Sequence, residues 1–236
     1  RNRKNKYPSK RGYKKKSSHL KSIGEAPGSS TCKVREVSKV DFLYDGRTLN
    51  SLDILSLPHT TGDGDNRNER QRQVANIRGW KVCCSVDNQR IVPLYFNMAL
   101  IITKNGIFGV NDFFRGRDGE RLVNFSTGLT SNELHCLPIN TDKYHVLWHH
   151  RALLNGSSAT SNVNRSGTTY GIINKYIKLG RQVRFENADT ATSANEDARL
   201  VFWSDDFGAS STTLTQADAF QLQLSVCCYF RDPGCC

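Results

Sequence analysis

Acidic residues are missing from the first 21 positions, where ten residues are Lys or Arg. The chain also lacks any hydrophobic run near the ~18 residues that a membrane-crossing helix needs. Its best stretch, Ile91 to Ile102, is broken by Pro93 and Asn97. A spanning helix is thereby excluded, and with no amphipathic or lipidated segment no membrane partner is expected. No apolar segment follows the basic start, so no secretory signal peptide is expected. Cys-x-x-Cys spacing is missing, which removes the commonest zinc sites. There is no Gly-x-Ser-x-Gly elbow, phosphate loop or dinucleotide fingerprint. Neither an enzyme nor a bound cofactor is expected.

What the chain does have is charge at one end. Arg1, Arg3, Lys4, Lys6, Lys10, Arg11, Lys14, Lys15, Lys16 and Lys21 carry nearly all of a net charge of +11. The other 215 residues hold 23 basic against 22 acidic groups. A block so charged and so poor in apolar side chains cannot offset its own ordering entropy. It is expected to be disordered alone and to bind a polyanion, most simply nucleic acid. Lys and Arg neutralise phosphates and release condensed counterions, so such binding is salt-dependent and nearly blind to sequence. Tyr7, Tyr13 and His19 are interleaved with the cations and are placed to stack on unpaired bases.

Residues 22–31, with Gly24, Pro27 and Gly28-Ser29-Ser30, read as a flexible linker. Extended, arm and linker reach at most about 100 Å. From Cys32 to Cys236 the pattern is that of one β domain. The clearest strand runs from Ala219 to Phe230. Phe220, Leu222, Leu224, Val226, Cys228 and Phe230 alternate with Gln221, Gln223, Ser225, Cys227 and Tyr229. Leu94, Phe96, Met98, Leu100 and Ile102 form a second apolar face, continuing the theme of Trp80, Val82, Cys84 and Val86. Gly79 marks an expected bulge that brings Ile77 into register. Ile177, Leu179, Val183 and Phe185 share a face, with Lys178, Gln182 and Arg184 opposite.

Strands are expected near 33–44, 50–57, 75–86, 92–104, 143–154, 172–185, 198–204 and 218–231. Long polar loops separate them near 58–73, 105–141 and 186–196, and a short helix fits Asn111-Asp112-Phe113-Phe114. Eight antiparallel strands with long, uneven loops predict an all-β fold, a single jelly roll of two packed sheets. Another Greek-key sandwich is the alternative.

Six of the eight cysteines form adjacent pairs, Cys83-Cys84, Cys227-Cys228 and Cys235-Cys236. Neighbours on a strand face opposite ways. Each pair is therefore expected to place one thiol in the core and one at the surface. A reducing compartment is the expected setting.

Basic arm, linker and strand-rich body together resemble the capsid proteins of small circular single-stranded DNA viruses of eukaryotes, of the geminivirus, genomovirus and circovirus type. The likeness lies in the polar loop Gly62 to Arg72 followed by Ile77-Arg78-Gly79-Trp80-Lys81. It lies also in Asn140-Thr141-Asp142-Lys143-Tyr144-His145-Val146-Leu147 and in the ending Tyr229-Phe230-Arg231-Asp232. The order of these elements covers roughly residues 32–233. The resemblance implies an icosahedral shell of identical subunits, with single-stranded DNA held by the arm inside the virion. It also implies assembly in the host nucleus, with Lys10, Arg11, Lys14, Lys15 and Lys16 as the import signal read by host factors. Coats of small RNA or satellite viruses share this layout, and so does a cellular nucleic-acid-binding β-sandwich.

No metal is expected. Asp63, Asp65 and Glu69 are the best carboxylate cluster for a calcium ion at a subunit contact. They lack full calcium-loop spacing and read more simply as a solvated loop, as does Asp205-Asp206. His145, His149 and His150 bring to mind the metal of a jelly-roll enzyme. On a regular strand His145 and His149 share a face, but the spacing is not His-x-His. Polar contact or a pH-sensitive interface is the plainer role. Trp80, Trp148 and Trp203 are expected in the core or at subunit contacts.

Overall fold

A computed structural model describes residues 32–44, 48–59, 69–70, 72–89, 93–104, 107–116, 136–156, 170–186, 196–206 and 220–232. Eight strands are β1 (Lys33–Tyr44), β2 (Asn50–Asp53), β3 (Val74–Asn88), β4 (Leu94–Thr103), β5 (Tyr144–Leu154), β6 (Tyr170–Arg184), β7 (Ala198–Asp206) and β8 (Phe220–Arg231). All eight lie where alternation predicts them. A 3₁₀ turn, Val110–Asp112, lies at the expected short helix.

The strands form two antiparallel four-stranded sheets, ordered β1-β8-β3-β6 and β2-β7-β4-β5. The first strand pairs with the eighth, the second with the seventh, the third with the sixth and the fourth with the fifth. That nesting is an antiparallel ribbon wrapped on itself, and it distinguishes a jelly roll from other sandwiches. The β3–β8 and β4–β7 pairings close the wrap.

The core lies between the inner faces of the two sheets. Trp80, Val82, Cys84 and Val86 of β3 and the alternating apolar face of β8 meet Leu94, Phe96, Met98, Leu100 and Ile102 of β4. Phe96 and Phe220 touch edge to face at 5.3 Å, joining the sheets. Burying each such ring stabilises the fold by about 1.5–3 kcal/mol. The indole N–H of Trp80 donates to the carbonyl of Ile54 at 2.8 Å, so this large buried ring leaves no donor unpaired.

β2 is shorter than the expected 50–57. Asp53 Oδ1 accepts from the Leu55 amide at 2.9 Å and turns the chain out of the ladder. Ile54, Leu55 and Leu57 remain buried without being in the strand. The bulge at Gly79 is present, with register shifting between Ile77 and Gly79 against both neighbours.

β4 departs from simple alternation because both its faces are buried. Segments 107–116 and 136–140, from the long β4–β5 connection, fold over the outer face of the second sheet. Phe113 and Phe114 each meet Trp203 edge to face at 5.4 Å. Ala99, Ile101, Tyr144 and Val201 complete this second apolar cluster. Tyr144 donates its hydroxyl hydrogen to Asp112, and the Gly109 amide donates to the Tyr144 oxygen at 3.2 Å.

Candidate nucleic-acid interface

All ten cations of the arm lie outside the described residues, as do Tyr7, Tyr13, His19, Asp63 and Asp65. Cys32 is exposed, and β1 starts at Lys33. The Lys33 ammonium is paired with Asp232 at 2.8 Å and donates to the Glu69 carbonyl at 3.0 Å. Glu69 is thus recruited through its backbone at the start of β1.

Arg70 next to it is fully buried. Its Nε donates to the Leu57 carbonyl at 2.9 Å, and an Nη donates to the Arg72 carbonyl at 2.8 Å. Its guanidinium lies 4.3 Å over the Phe185 ring. The first strand, the residues before β3 and the end of β8 are therefore stapled together by charge-assisted bonds in a poorly solvated place. Sequence reading did not single out Arg70 or Lys33. Nothing local distinguishes them from the many solvated cations of this chain.

The three histidines do not converge. A bulge opposite Leu100/Ile101 inserts Leu147 and changes the parity of β5. His145 stands opposite Ile102, whose side chain is in the inter-sheet core, and His149 stands opposite Ala99, which belongs to the outer cluster. They are on opposite faces, contrary to the regular-strand expectation. His149 stacks on Trp203 at 5.7 Å, and burial lowers its pKa from 6.5. His150 stacks on Trp148 at 5.9 Å. Among the described residues no three His, Cys, Asp or Glu side chains come together as a metal site.

The two described cysteine pairs divide as expected. Cys84 and Cys228 are buried, while Cys83 and Cys227 are part-exposed on the outer face of the first sheet. Burial pushes the Cys84 thiol up to about 12 and that of Cys228 up as well. Cys235-Cys236 lies outside the described residues.

Among the described residues, five of the seven exposed large apolar groups are on edge strands, the others being Ile107 and Val110 in the β4–β5 connection. Phe42 is on β1, Leu153 on β5, and Tyr170, Ile172 and Tyr176 on β6, with Ile172 73% exposed. The sheet orders place β1, β5 and β6 at edges. Long edges with exposed apolar side chains invite pairing with another chain.

No protein-family model matches the chain, and no curated protein matches it. Among solved structures it is similar to a chain of Desmodium yellow mottle tymovirus, with 10% identity over 86% of each chain and a TM-score of 0.33. It is similar also to a chain of the empty head of turnip yellow mosaic virus, with 7% identity over 89% of this chain and 86% of that one, and a TM-score of 0.35. Scores this low establish neither family nor function. The jelly roll stands on its own strand order.

Proposed function

We propose that this chain is a viral capsid subunit that self-assembles into an icosahedral shell and packages single-stranded DNA. One observation carries the reading: a charge-balanced jelly roll whose first strand, beginning at Lys33, follows directly on 32 residues holding ten cations in the first 21 positions and one acid, Glu25. The body supplies a rigid tile, and Arg1, Arg3, Lys4, Lys6, Lys10, Arg11, Lys14, Lys15, Lys16 and Lys21 supply the phosphate contacts. The role is structural and uses no catalytic group. Exposed Leu153, Tyr170 and Ile172 on edge strands support contact with identical subunits. Lys10, Arg11, Lys14, Lys15 and Lys16 serve as the nuclear import signal on this reading.

Expression followed by negative-stain electron microscopy and nuclease protection tests it. Closed particles with DNA protected from DNase are the expected result. Particles protecting RNA instead would keep the coat role and replace the genome type. A small salt-independent oligomer that protects no nucleic acid would sink the reading.

A further inference from the structure

The first sheet does not present a neutral face near the start of β1. Residues opposite one another on neighbouring strands share a face. Tyr176 stands opposite Lys81, which stands opposite Cys227. One step toward the start of β1, Lys178 stands opposite Gly79, which stands opposite Tyr229. The next step brings Gln182, Asn76 and Arg231 into line, and Arg184 follows opposite Val74. This is the outer face of the first sheet, since the alternating partners Trp80, Ile177, Cys228 and Phe230 are in the core.

Arg78 is extruded at the bulge, exposed, and its charge acts on the Tyr176 phenol. Tyr176 is 43% exposed and rests edge to face on Tyr229 at 5.6 Å. One ring is thus backed by another and leaves a surface open. Among the described residues no ion pair engages Arg78, Lys81, Lys178 or Arg184, whereas nearby Arg181 is neutralised by Glu196 at 2.6 Å. Glu36, two strands from Lys81, accepts from the Ser225 hydroxyl at 2.7 Å. Asp41 and Asp87 lie toward the opposite end of the sheet, with Gln221 and Gln223 between them. Val34, near the start of β1, stands opposite Tyr229, so the chain enters the sheet beside this row.

We infer that this basic, tyrosine-centred patch is a second nucleic-acid contact, on which single-stranded nucleic acid leaving the arm stacks a base against Tyr176 and sets phosphates against Arg78, Lys81 and Lys178. The inference deepens the packaging reading and rests on it. A polyanion fits because Arg78, Lys81, Lys178 and Arg184 outnumber Glu36, the acid aligned with Lys81. A single strand fits because only an unpaired base offers its face to a ring. The apolar end of the same sheet, at Tyr170 and Ile172, lacks this charge and suits a neighbouring subunit.

Photocrosslinking of the full chain tests it, with 20-nucleotide oligo(dT) and oligo(U) probes bearing 5-iodouracil, followed by peptide mass spectrometry. The expected adduct is at Tyr176, in addition to any at Tyr7 and Tyr13. Tyr176→Leu should remove that adduct and weaken binding about tenfold. Arg78→Gln with Lys178→Gln should reduce the slope of log affinity against log salt by about 1.4. Adducts confined to the arm, with an unchanged slope, would overturn the patch and leave packaging intact. A Tyr176 that assembled particles bury without any adduct would assign it to a subunit contact and overturn the patch likewise. No adduct anywhere, with salt-independent behaviour, would remove the packaging reading itself. The crosslink on the unsubstituted chain needs no variant to fold.

Discussion

Gly79 shows how one residue sets the geometry of a sheet. Its φ is +152°, and a Cβ there would sit 2.2 Å from the Ile177 carbonyl oxygen. Only glycine lets β6 pass so close, and the resulting bulge extrudes Arg78. Gly79→Ala should cost more than ~2 kcal/mol, read as a lower urea midpoint with unchanged m-value. Asp232 works by a different route. Its carboxylate is almost wholly buried against Lys33. Asp232→Ala leaves that ammonium poorly solvated and should cost about 3 kcal/mol. Gly79 was legible as a bulge because a glycine interrupts an alternating run. Lys33 and Asp232 were not, because their partnership spans nearly the whole chain.

Elements were read well wherever one face is buried and the other wet. In β8 every second residue from Phe220 to Phe230 is in the core, as alternation predicts. β4 was read only by half. Ala99 and Ile101 are buried because the connection to β5 folds over them, and a strand's own period carries no sign of such a cover. Phe113→Ala removes a ring that touches Phe114, Trp203 and Tyr144, and should lower stability by about 3–4 kcal/mol in thermal unfolding. β3 and β8 also carry a pH response. The Cys84 thiol, ordinarily at 9.0, is raised to about 12, and Cys228 shifts the same way. In the unfolded chain these thiols lose protons at lower pH than in the folded one. Their stabilising effect is therefore complete below pH 9 and is lost as pH rises toward 12. Urea unfolding at pH 8 and pH 10.5 should show the fall, and Cys84→Ala should lessen it.

At the scale of the whole molecule the division is between a charged end and a balanced body. Replacing Lys10, Arg11, Lys14, Lys15 and Lys16 with Gln should reduce the salt slope of single-strand binding by about 3.5, at ~0.7 per cation. If the chain forms the proposed shell through edge strands of its body, particles should persist in electron micrographs of this variant. The sequence by itself determined the all-β class, the eight strand positions and the basic segment, because alternation and composition are local properties. Only the tertiary structure decided the nested pairing, the inter-sheet core and the parity change in β5 that separates His145 from His149. It alone brought Arg78 and Lys81 beside Tyr176, Lys178 and Tyr229. Strand pairing joins residues as far apart as Lys33 and Phe230, and a hydrophobic period says which face is buried but not which strand lies alongside.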